Sequence, residues 1–399
     1  MTPGGLTRRD LLRASVALQL LAAGPGVLVR AAMAQGRDDE SERVLVVVQL
    51  TGGNDGLNTI VPFANDAYHR ARPVLAVPAA TVLRLDDEAG LHPALADLEP
   101  LWQAGRLAVL RGAGPPSPDR SHFRSMEMWH TGSTDETPPH AGWLGTAVRG
   151  LPAGAGLPAA LLGDRNLPLA LAGAPSPVPA IPTLKAMDID AGGPVRSLRH
   201  ACCETAGREE QAARVAQAYR AAFECSERLQ RLGSGGDAVG FPAGDPGTGL
   251  RLAAQFIGAR LGTRVLYVTQ GGYDTHAGQE RDHPGLLRAL AGALAAFQEQ
   301  LEAQGDGARV LTVVFSEFGR RVRENASGGT DHGAGNPVLL VGRPARGGIH
   351  GKAPDLEAGD GDVPVTTDYR RLYATLLDWM GLDAATVMPG THECLPLLS

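Results

Sequence analysis

The stretch RVLVVVQLTGGNDG, residues 43–56, decides the fold. Its first eight residues form a nearly continuous apolar run rich in valine, which is typical of a strand buried on both faces of a parallel sheet. The glycine-rich turn that follows carries Asp55. Ligands of parallel α/β sheets bind beyond the carboxyl ends of the strands, so this turn is the first candidate position for a functional site.

Similar runs and helical patterns alternate along the rest of the chain. Further strands are predicted over residues 106–114, 263–270, 308–315 and 336–342. Helices are predicted over residues 93–105, 250–261, 284–303 and 366–381, the last with Thr or Asp as its N-cap. This alternation predicts an α/β fold with a mainly parallel, doubly wound sheet and helices on both faces.

Residues 149–249 interrupt the alternation. The part up to residue 201 is rich in proline, glycine and alanine, which predicts an irregular insertion with short strands beside the site. Residues 204–233 read as a polar helix and residues 233–249 as a flexible loop. We expect this segment to belong to a single domain that spans residues 35–399.

The N-terminus has the features of a twin-arginine export signal. The pair Arg8-Arg9 precedes a weakly apolar run over residues 14–29, and residues 32–34 read Ala-Met-Ala, a pattern typical of a cleavage site. The run falls short of the roughly 20 residues that a membrane span requires, so no integral span is expected in the mature chain. We expect the twin-arginine translocation machinery to deliver residues 35–399 to the periplasm or the extracellular space.

Charge and cysteine content narrow the class of protein further. The chain has 37 Lys and Arg against 43 Asp and Glu, a net charge of −6, and loss of residues 1–34 would leave 33 against 42. An acidic chain without a basic block does not suit nucleic acid or an anionic membrane as a partner. None of Cys202, Cys203, Cys225 and Cys394 has a metal-binding spacing, and their disulfide pairing stays open.

Polar side chains of catalytic type follow four of the predicted strands. They are Asp55, Ser121, Asp274 with His276, and Glu317. Because the carboxyl ends of parallel strands lie at one edge of the sheet, we expect these side chains to converge. Carboxylates and imidazoles on glycine-rich loops suit a divalent ion such as zinc, manganese, magnesium or calcium.

Ser121 combines two further signals. It precedes the helical stretch HFRSMEMW, and a helix N-terminus stabilises anions through its free N–H groups and its dipole. A serine beside a metal ion could attack phosphorus. Its neighbours Arg120 and His122 complete the predicted catalytic group, since an arginine can clamp an oxyanion.

Each of these residues also has a structural alternative. Asp55 and Asp274 suit turns, Ser121 suits an N-cap, and Glu317 suits the first turn of a helix. The sequence GGTDHGAG, residues 328–335, likewise places Asp331 and His332 either in a metal site or in a polar turn. These alternatives stay open at the level of the residues alone.

Four segments carry a resemblance to a known family. They are LTGGNDGLNTIVP (50–62), DRSHFRSMEMWHTG (119–132), GGYDTHAGQ (271–279) and SEFGRRVRENASGGTDHGAGNPVLLVG (316–342). In this order they resemble an exported bacterial family, domain-of-unknown-function family 1501, within the alkaline phosphatase superfamily that also contains sulfatases. The resemblance runs from about residue 44 to the C-terminus.

The resemblance implies an alkaline-phosphatase-like fold and a metal-assisted hydrolase. It makes Asp55 the first metal ligand, Ser121 the nucleophile, Asp274 with His276 the Asp-and-His loop, and His332 the final ligand, with Asp331 as an auxiliary. Two positions depart from the superfamily pattern: Glu317-Phe318 stands where an Asp-His pair is usual, and Asp274 and His276 are closer in sequence than usual. The pattern Cys/Ser-x-Pro-x-Arg is absent around Ser121, which argues against formylglycine sulfatase chemistry.

Two hypotheses of function follow. The first is an exported hydrolase of an anionic phosphate or sulfate ester, in which Ser121 attacks and one or two divalent ions are bound by Asp55, Asp274, Glu317 and His332, with His276 and Asp331 as extra ligands. The second, motivated by Phe318, is a non-catalytic exported protein that binds a glycan, an ion or a partner on the same fold. A redox role ranks below both, because no GxGxxG follows the first strand and no cysteine spacing suits haem or iron–sulfur ligation.

Overall fold

The computed structural model describes residues 43–151, 158–175, 178–183, 240–358 and 361–399. The predicted export signal, the predicted helix over residues 204–233 and three of the four cysteines lie outside these residues. Cys394 is an exposed free cysteine. Among the described residues, no helix has the length and apolar character needed to cross a bilayer.

The strands in the described ranges cover every strand predicted from the sequence. They are β1 (Val44–Leu50), β2 (Ile60–Val61), β3 (Leu83–Arg84), β4 (Gly90–Leu91), β5 (Leu107–Gly114), β6 (Ala159–Leu162), β7 (Ala180–Ile181), β8 (Val265–Gln270), β9 (Val310–Ser316), β10 (Arg320–Glu324), β11 (Thr330–His332), β12 (Asn336–Val341), β13 (Gly348–His350) and β14 (Thr367–Asp368).

The α-helices alternate with the longer strands, as predicted. They are α1 (Asp66–Ala71), α2 (Glu99–Gln103), α3 (His122–Thr131), α4 (Trp143–Ala147), α5 (Gly247–Gly258), α6 (Gln279–Gln304) and α7 (Tyr369–Trp379). The side chain of Asp368 caps α7 by accepting from the Arg370 N–H, which confirms the predicted aspartate cap.

The main sheet has nine strands in the order β7-β6-β8-β1-β9-β12-β5-β13, with β14 also paired to β5. Strand β1 lies at its centre and runs parallel to both β8 and β9. Strands β6 and β7 extend the same parallel sheet, so residues 159–162 and 180–181 of the predicted insertion are part of the sheet itself. The predicted mainly parallel α/β sheet is confirmed.

Strand β12 is the antiparallel member and pairs with β9 on one side and β5 on the other. Only the hairpin of β10 and β11 separates it from β9, and no crossover helix intervenes to return the chain to the opposite edge. Strand β12 therefore starts at the edge where β9 ends.

Helices cover both faces of the sheet. Alternate residues of β1 point to opposite faces: Val44, Val46 and Val48 pack with α5 and α6, whereas Leu45 and Val47 pack with α3, α4 and α7. All seven residues of β1 are buried, as the apolar run predicts. Packing of these two groups of apolar side chains, one on each face of the sheet, holds the strands in place. It thereby also fixes where the loops of the candidate site begin.

Two local features differ from what the sequence suggested. The structural alternative for Glu317, the first turn of a helix, is not present, because residues 320–324 continue as β10, which pairs with β11. Helix α6 begins at Gln279, five residues before the predicted start, and Pro284 lies inside it. Gly278 precedes the helix in a left-handed conformation (φ 62°), which glycine adopts readily, so the turn ends there and the helix can start early.

Candidate metal centre

Five segments meet at one edge of the main sheet. They are the loops that follow β1, β5, β8 and β9 and the segment that precedes β12. Leu50 pairs in register with Gln270 of β8 and with Ser316 of β9, so these three strands end together. Strand β5 runs in the same direction because β12 is antiparallel to both β5 and β9. The predicted convergence of strand-end loops is therefore present.

Three histidines surround the Asp274 carboxylate at this edge. His276 Nε2 lies 3.2 Å and His332 Nε2 lies 3.1 Å from Asp274 Oδ1. His122 Nε2 lies 3.5 Å from Asp274 Oδ2. The Nε2 atoms of His276 and His332 are 2.9 Å apart. Asp274 and the three histidines thus form a group of potential ligand atoms centred on the Asp274 carboxylate, which we call the Asp274 cluster.

The opposite nitrogen of each imidazole is held by an oxygen atom. His122 Nδ1 lies 2.9 Å from Glu317 Oε1, and His276 Nδ1 lies 3.3 Å from Asp331 Oδ1. His332 Nδ1 lies 2.8 Å from the backbone carbonyl of Arg120. These oxygens only accept hydrogen bonds, so each Nδ1 carries the proton and each Nε2 presents a lone pair.

That protonation pattern leaves lone pairs facing one another. Asp274 Oδ1, His276 Nε2 and His332 Nε2 form a triangle with sides of 2.9, 3.1 and 3.2 Å, and none of the three has a proton to share in this tautomer. Lone pairs at hydrogen-bond distance repel unless a cation or an additional proton lies between them. The arrangement calls for a positive charge at the centre of the cluster.

The donor set and its spacing fit a divalent metal ion. In a tetrahedral site with bonds of 2.0–2.1 Å, ligand atoms lie about 3.3 Å apart, which is close to the separations in the cluster. His122, Asp274 and His332 also form, among the described residues, a group whose ligand atoms all lie within 4.8 Å of one another. Metal-bound histidines usually donate the second ring N–H to a carboxylate or a carbonyl, as all three do here.

Glu317 lies behind His122. Its Oε1 accepts from the Gly52 N–H at 2.8 Å and from His122, and its Oε2 accepts from the Ser316 hydroxyl at 3.0 Å. Burial acts to raise the pKa of Glu317, but these hydrogen bonds hold it below its usual range, so the buried carboxylate is charged. The hydrogen bond to Glu317 in turn raises the pKa of His122. Glu317 therefore orients His122, and its two carboxylate oxygens already accept hydrogen bonds from three donors.

Arg320 holds the Asp274 carboxylate in place. Its buried guanidinium donates to Asp274 Oδ1 at 2.7 Å and to the backbone carbonyls of Gly53, Thr330 and Tyr273. Burial acts to raise the pKa of Asp274, but the hydrogen bond and the charge of Arg320 lower it to about 2. The carboxylate is therefore ionised and fixed in place across the neutral pH range.

Asp55 lies apart from the cluster. Its carboxylate is fully buried, pairs with Arg72 Nη1 at 2.5 Å and accepts from the side chain of Gln279 and from two backbone N–H groups of the following 3₁₀ turn. Burial would raise the pKa of Asp55, but the Arg72 charge and hydrogen bond hold it below its usual value. The structure thus places this predicted ligand in a buried ion pair that shapes the loop over residues 51–56.

Arg120 and Ser121 are the two residues directly before His122 of the cluster. Arg120 supplies the carbonyl that holds His332, and its side chain pairs with Asp362 at 2.7 Å. Ser121 is exposed and occupies the N-cap position of α3, as the structural alternative predicts, but its hydroxyl makes no cap hydrogen bond. The side chain stays open for another role directly beside His122.

Phe318 closes one wall of the cluster. The ring is 2 % exposed and its centroid lies 4.9 Å from that of His122 and 4.7 Å from that of His332. A Cβ on Gly53 would lie 2.1 Å from this ring, so only glycine fits there. The position where the superfamily pattern expects an imidazole is thus filled by packed aromatic carbon.

Sequence reasoning missed three features of this arrangement. His122 was predicted as a catalytic residue, and the structure places it among the potential ligands. Glu317 and Asp331 were predicted as ligands, and they hold His122 and His276. Arg320 lies four residues after the end of β9. A polar residue close behind a strand end is the same signal that identified Asp274 and Glu317.

Comparisons with known proteins agree with the resemblance seen in the sequence. Residues 199–394 match the family described as "Protein of unknown function (DUF1501)", and the predicted resemblance to that family is confirmed. No curated protein sequence matches the chain.

Similar solved structures include three bacterial proteins. The lipoteichoic acid synthase LtaP from Listeria monocytogenes has 8 % identity and a TM-score of 0.37, covering 90 % of this chain and 79 % of its own. A sulfatase from Pseudoalteromonas sp. has 13 % identity and a TM-score of 0.38, covering 93 % and 75 %. A protein in the alkaline phosphatase superfamily from Vibrio parahaemolyticus has 11 % identity and a TM-score of 0.34, covering 91 % and 77 %. Similarity of this degree says nothing about substrate or mechanism.

Proposed function

We propose that this chain, which carries the DUF1501 match in its C-terminal half, is an exported hydrolase of phosphate or sulfate esters that depends on one divalent metal ion. The observation that carries the proposal is the convergence of three imidazole Nε2 atoms on the Asp274 carboxylate, with each Nδ1 held by a separate oxygen. Zinc is the ion that this donor set favours, because magnesium and calcium prefer all-oxygen sites.

A single ion is proposed because two features disfavour a second one. Both carboxylate oxygens of Asp55 are already occupied, since Oδ1 accepts from two backbone N–H groups and Oδ2 accepts from Arg72 and Gln279, so no Asp55 oxygen is free for a second ion. The packed ring of Phe318 offers no ligand atom on its side of the cluster. The four residues that would hold the ion are His122, Asp274, His276 and His332.

The bound ion would act as a Lewis acid toward an ester oxygen. Ser121 is the proposed nucleophile, and its exposure and its place directly before His122 of the cluster support this role. Its Oγ forms a bond to phosphorus or sulfur while the bond to the ester oxygen breaks, the serine proton passes to solvent and the alcohol leaves after taking a proton. A water oxygen then forms a bond to phosphorus or sulfur while the bond to Oγ breaks, which releases phosphate or sulfate and returns a proton to the serine hydroxyl. The N–H groups at the start of α3 stabilise the anionic group during both steps.

Binding without turnover is the second candidate. The observation that favours it is Phe318, which replaces an imidazole of the superfamily pattern with a ring that cannot bind a metal. On this view the Asp274 cluster holds an ion for structure or for recognition of an anionic partner, and Ser121 is a surface residue.

Metal content and turnover separate the two candidates. We expect the purified chain to carry about one zinc ion, measured by inductively coupled plasma mass spectrometry, and to hydrolyse 4-nitrophenyl phosphate or 4-nitrophenyl sulfate. Ser121→Ala should keep the metal and lower turnover by about a thousandfold or more, as loss of a nucleophile does in other hydrolases. Ser117→Ala, on the same exposed loop, is the matched control and should retain turnover.

The outcomes are distinct. Stoichiometric metal with equal turnover in Ser121→Ala and Ser117→Ala would show that Ser121 is not the nucleophile. Stoichiometric metal with no turnover on either ester would favour the binding protein over the hydrolase. Absence of metal would show that the Asp274 cluster is not a metal site. Export by the twin-arginine route is tested separately: Arg8→Lys with Arg9→Lys should leave the chain in the cytoplasmic fraction.

A further inference from the structure

Asn325, the first residue after β10, ties the turn of the β10–β11 hairpin to the loop after β8. Its side-chain Nδ2 donates to the His276 backbone carbonyl at 3.0 Å and to Asp331 Oδ1 at 3.1 Å. Its Oδ1 accepts from the backbone N–H groups of Ser327 at 2.9 Å and Gly329 at 3.1 Å. One amide thus makes four hydrogen bonds at the border of the Asp274 cluster.

The hydrogen-bond partners fix which way this amide points. Two backbone N–H donors face one end of it, and a carbonyl and a carboxylate, which only accept, face the other end. If the amide were turned around, its NH₂ group would meet two donors and its oxygen would meet two acceptors. Only the present orientation therefore satisfies all four partners.

Asn325 reaches His276 along two routes. The bond to the His276 backbone carbonyl is direct. The second route passes through Asp331 Oδ1, which accepts from Asn325 and lies 3.3 Å from His276 Nδ1. The Asp331 side chain is 57 % exposed, and an exposed side chain has several rotamers available to it in water. The bond from Asn325 restricts Asp331 to the rotamer that meets the imidazole.

The hairpin turn also packs directly on the backbone that carries His276. A Cβ on Gly329 would lie 2.3 Å from the His276 carbonyl carbon, so the two backbones touch. The Thr330 N–H donates to the Thr275 carbonyl at 3.2 Å. Because the contact is this close, a shift of the turn that Asn325 organises would be transmitted to His276.

His276 is the least enclosed of the three imidazoles in the Asp274 cluster. Its side chain is 44 % exposed, against 27 % for His122 and 21 % for His332. Its Nδ1 contact, at 3.3 Å, is also the longest of the three. The other two rings are held by a buried carboxylate and by a backbone carbonyl, neither of which Asn325 contacts. Dependence on Asn325 should therefore be specific to His276.

We infer that Asn325 is a positioning residue of the proposed metal centre, which holds His276 as a ligand through its backbone and through Asp331. The inference rests on the metal centre of the proposed function and does not require hydrolysis. Loss of the Asn325 amide frees the Asp331 carboxylate and the His276 loop. The ion then loses one imidazole and keeps the three other ligands.

A double-mutant cycle for zinc affinity tests this role. We expect Asn325→Ala to lower the zinc affinity of the full chain by about 10–100-fold, the usual effect of losing a partner of a ligand. In the His276→Ala background, the same substitution should change zinc affinity by less than about twofold, because the ligand through which Asn325 acts is already gone. Competition with a zinc chelator measures all four affinities. Asn166→Ala, at an exposed position, is the matched control and should leave zinc affinity unchanged.

Two further measurements separate positioning from folding. The visible absorption spectrum of cobalt(II)-loaded Asn325→Ala should match that of His276→Ala and differ from that of the parent chain, since both variants remove one imidazole from the ion. Asn325→Asp still accepts from the N–H groups of Ser327 and Gly329 but cannot donate to Asp331. It should keep the turn and lower zinc affinity at least as much as Asn325→Ala, and it replaces that variant in the cycle if Asn325→Ala does not fold.

The outcomes distinguish this inference from the metal centre itself. An equal loss of zinc affinity from Asn325→Ala with and without His276 would overturn the inference, as would unchanged affinity in Asn325→Asp. In both cases the parent chain still binds zinc, so the proposed centre would stand. A parent chain that binds no zinc would remove the centre and this inference with it.

Discussion

The Nε2 atoms of His276 and His332 lie 2.9 Å apart, and neither carries a proton when its Nδ1 donates to Asp331 or to the Arg120 carbonyl. Two imidazole lone pairs at this distance repel unless a cation or an additional proton lies between them. His276 lies in the loop after β8 and His332 is the last residue of β11, so the fold brings the repelling atoms together across more than fifty positions of sequence. A metal ion would convert that repulsion into ligation.

Removal of either imidazole should therefore weaken metal binding. We expect His276→Ala and His332→Ala each to lower zinc affinity by more than about a hundredfold, since loss of an outer partner alone costs 10–100-fold. The measurement is competition with a zinc chelator of known affinity. His140→Ala, at an exposed position, is the control. Unchanged zinc affinity in both variants would show that the cluster is not the metal centre.

Glu317 should influence metal binding without touching the ion. Glu317→Gln keeps the shape of the side chain but removes the charge that holds His122 Nδ1, so we expect zinc affinity to fall by about 10–100-fold. Glu299→Gln, exposed on α6, should have no effect. A loss as large as that of His332→Ala would instead indicate that Glu317 is itself a ligand, as the sequence alone predicted.

The sequence predicted the main strands well because each carries a local signal. The run VLVVVQL is apolar at nearly every position, and a strand that is buried on both faces needs such a run. The reversed direction of β12 had no such signal, because its residues are as apolar as those of a parallel strand. Its direction follows from the short hairpin before it, which depends on how β10 and β11 pair.

The sequence predicted which loops form the candidate site better than it predicted the role of each residue in it. Strand-end position placed Asp274, His276 and His332 together, and the structure brings all three into one cluster. The same rule placed Asp55 there, but Asp55 forms an ion pair with Arg72, which directly follows α1 and carries no functional signal in the sequence. Long-range ion pairs of this kind depend on tertiary packing, which local sequence patterns do not encode.

Gly53 is predicted to matter through its contact with Phe318. Gly53 has φ of 73°, and an added Cβ would lie 2.1 Å from the Phe318 ring that packs between His122 and His332. Gly105→Ala is a matched control, because Gly105 has φ of 68° and no atom within 4 Å of the added Cβ. Backbone strain should cost about 1 kcal/mol at both positions.

Overpacking should add about 1–3 kcal/mol at position 53 alone. Urea unfolding measures the difference between Gly53→Ala and Gly105→Ala, and chelator competition measures whether zinc affinity falls in the first only. Equal destabilisation of the two variants would mean that Phe318 moves aside at no cost.

His130 should make stability depend on pH above the range in which carboxylates titrate. It is buried on α3 against Gln49 and Tyr267, and burial lowers its pKa from 6.5 to about 4, although the charge of Glu317 acts in the opposite direction. Because the pKa is lower in the folded state, the neutral imidazole contributes stability that is fully present above pH 6.5. That contribution is lost as the pH falls toward 4.

Between pH 6.5 and 4.5 the loss should amount to about 2 kcal/mol for this one histidine. Urea unfolding at several pH values in this interval measures it, and His130→Gln should flatten the slope by that amount even if the variant is less stable at pH 7. His140→Gln, at an exposed position, should keep the slope of the parent chain. His283 is buried with a similar pKa of about 4, so part of the slope should persist in His130→Gln and fall further when both buried histidines are replaced. A slope unaltered by His130→Gln would mean that this imidazole is equally easy to protonate in the folded and unfolded chains, and that its burial carries no electrostatic cost.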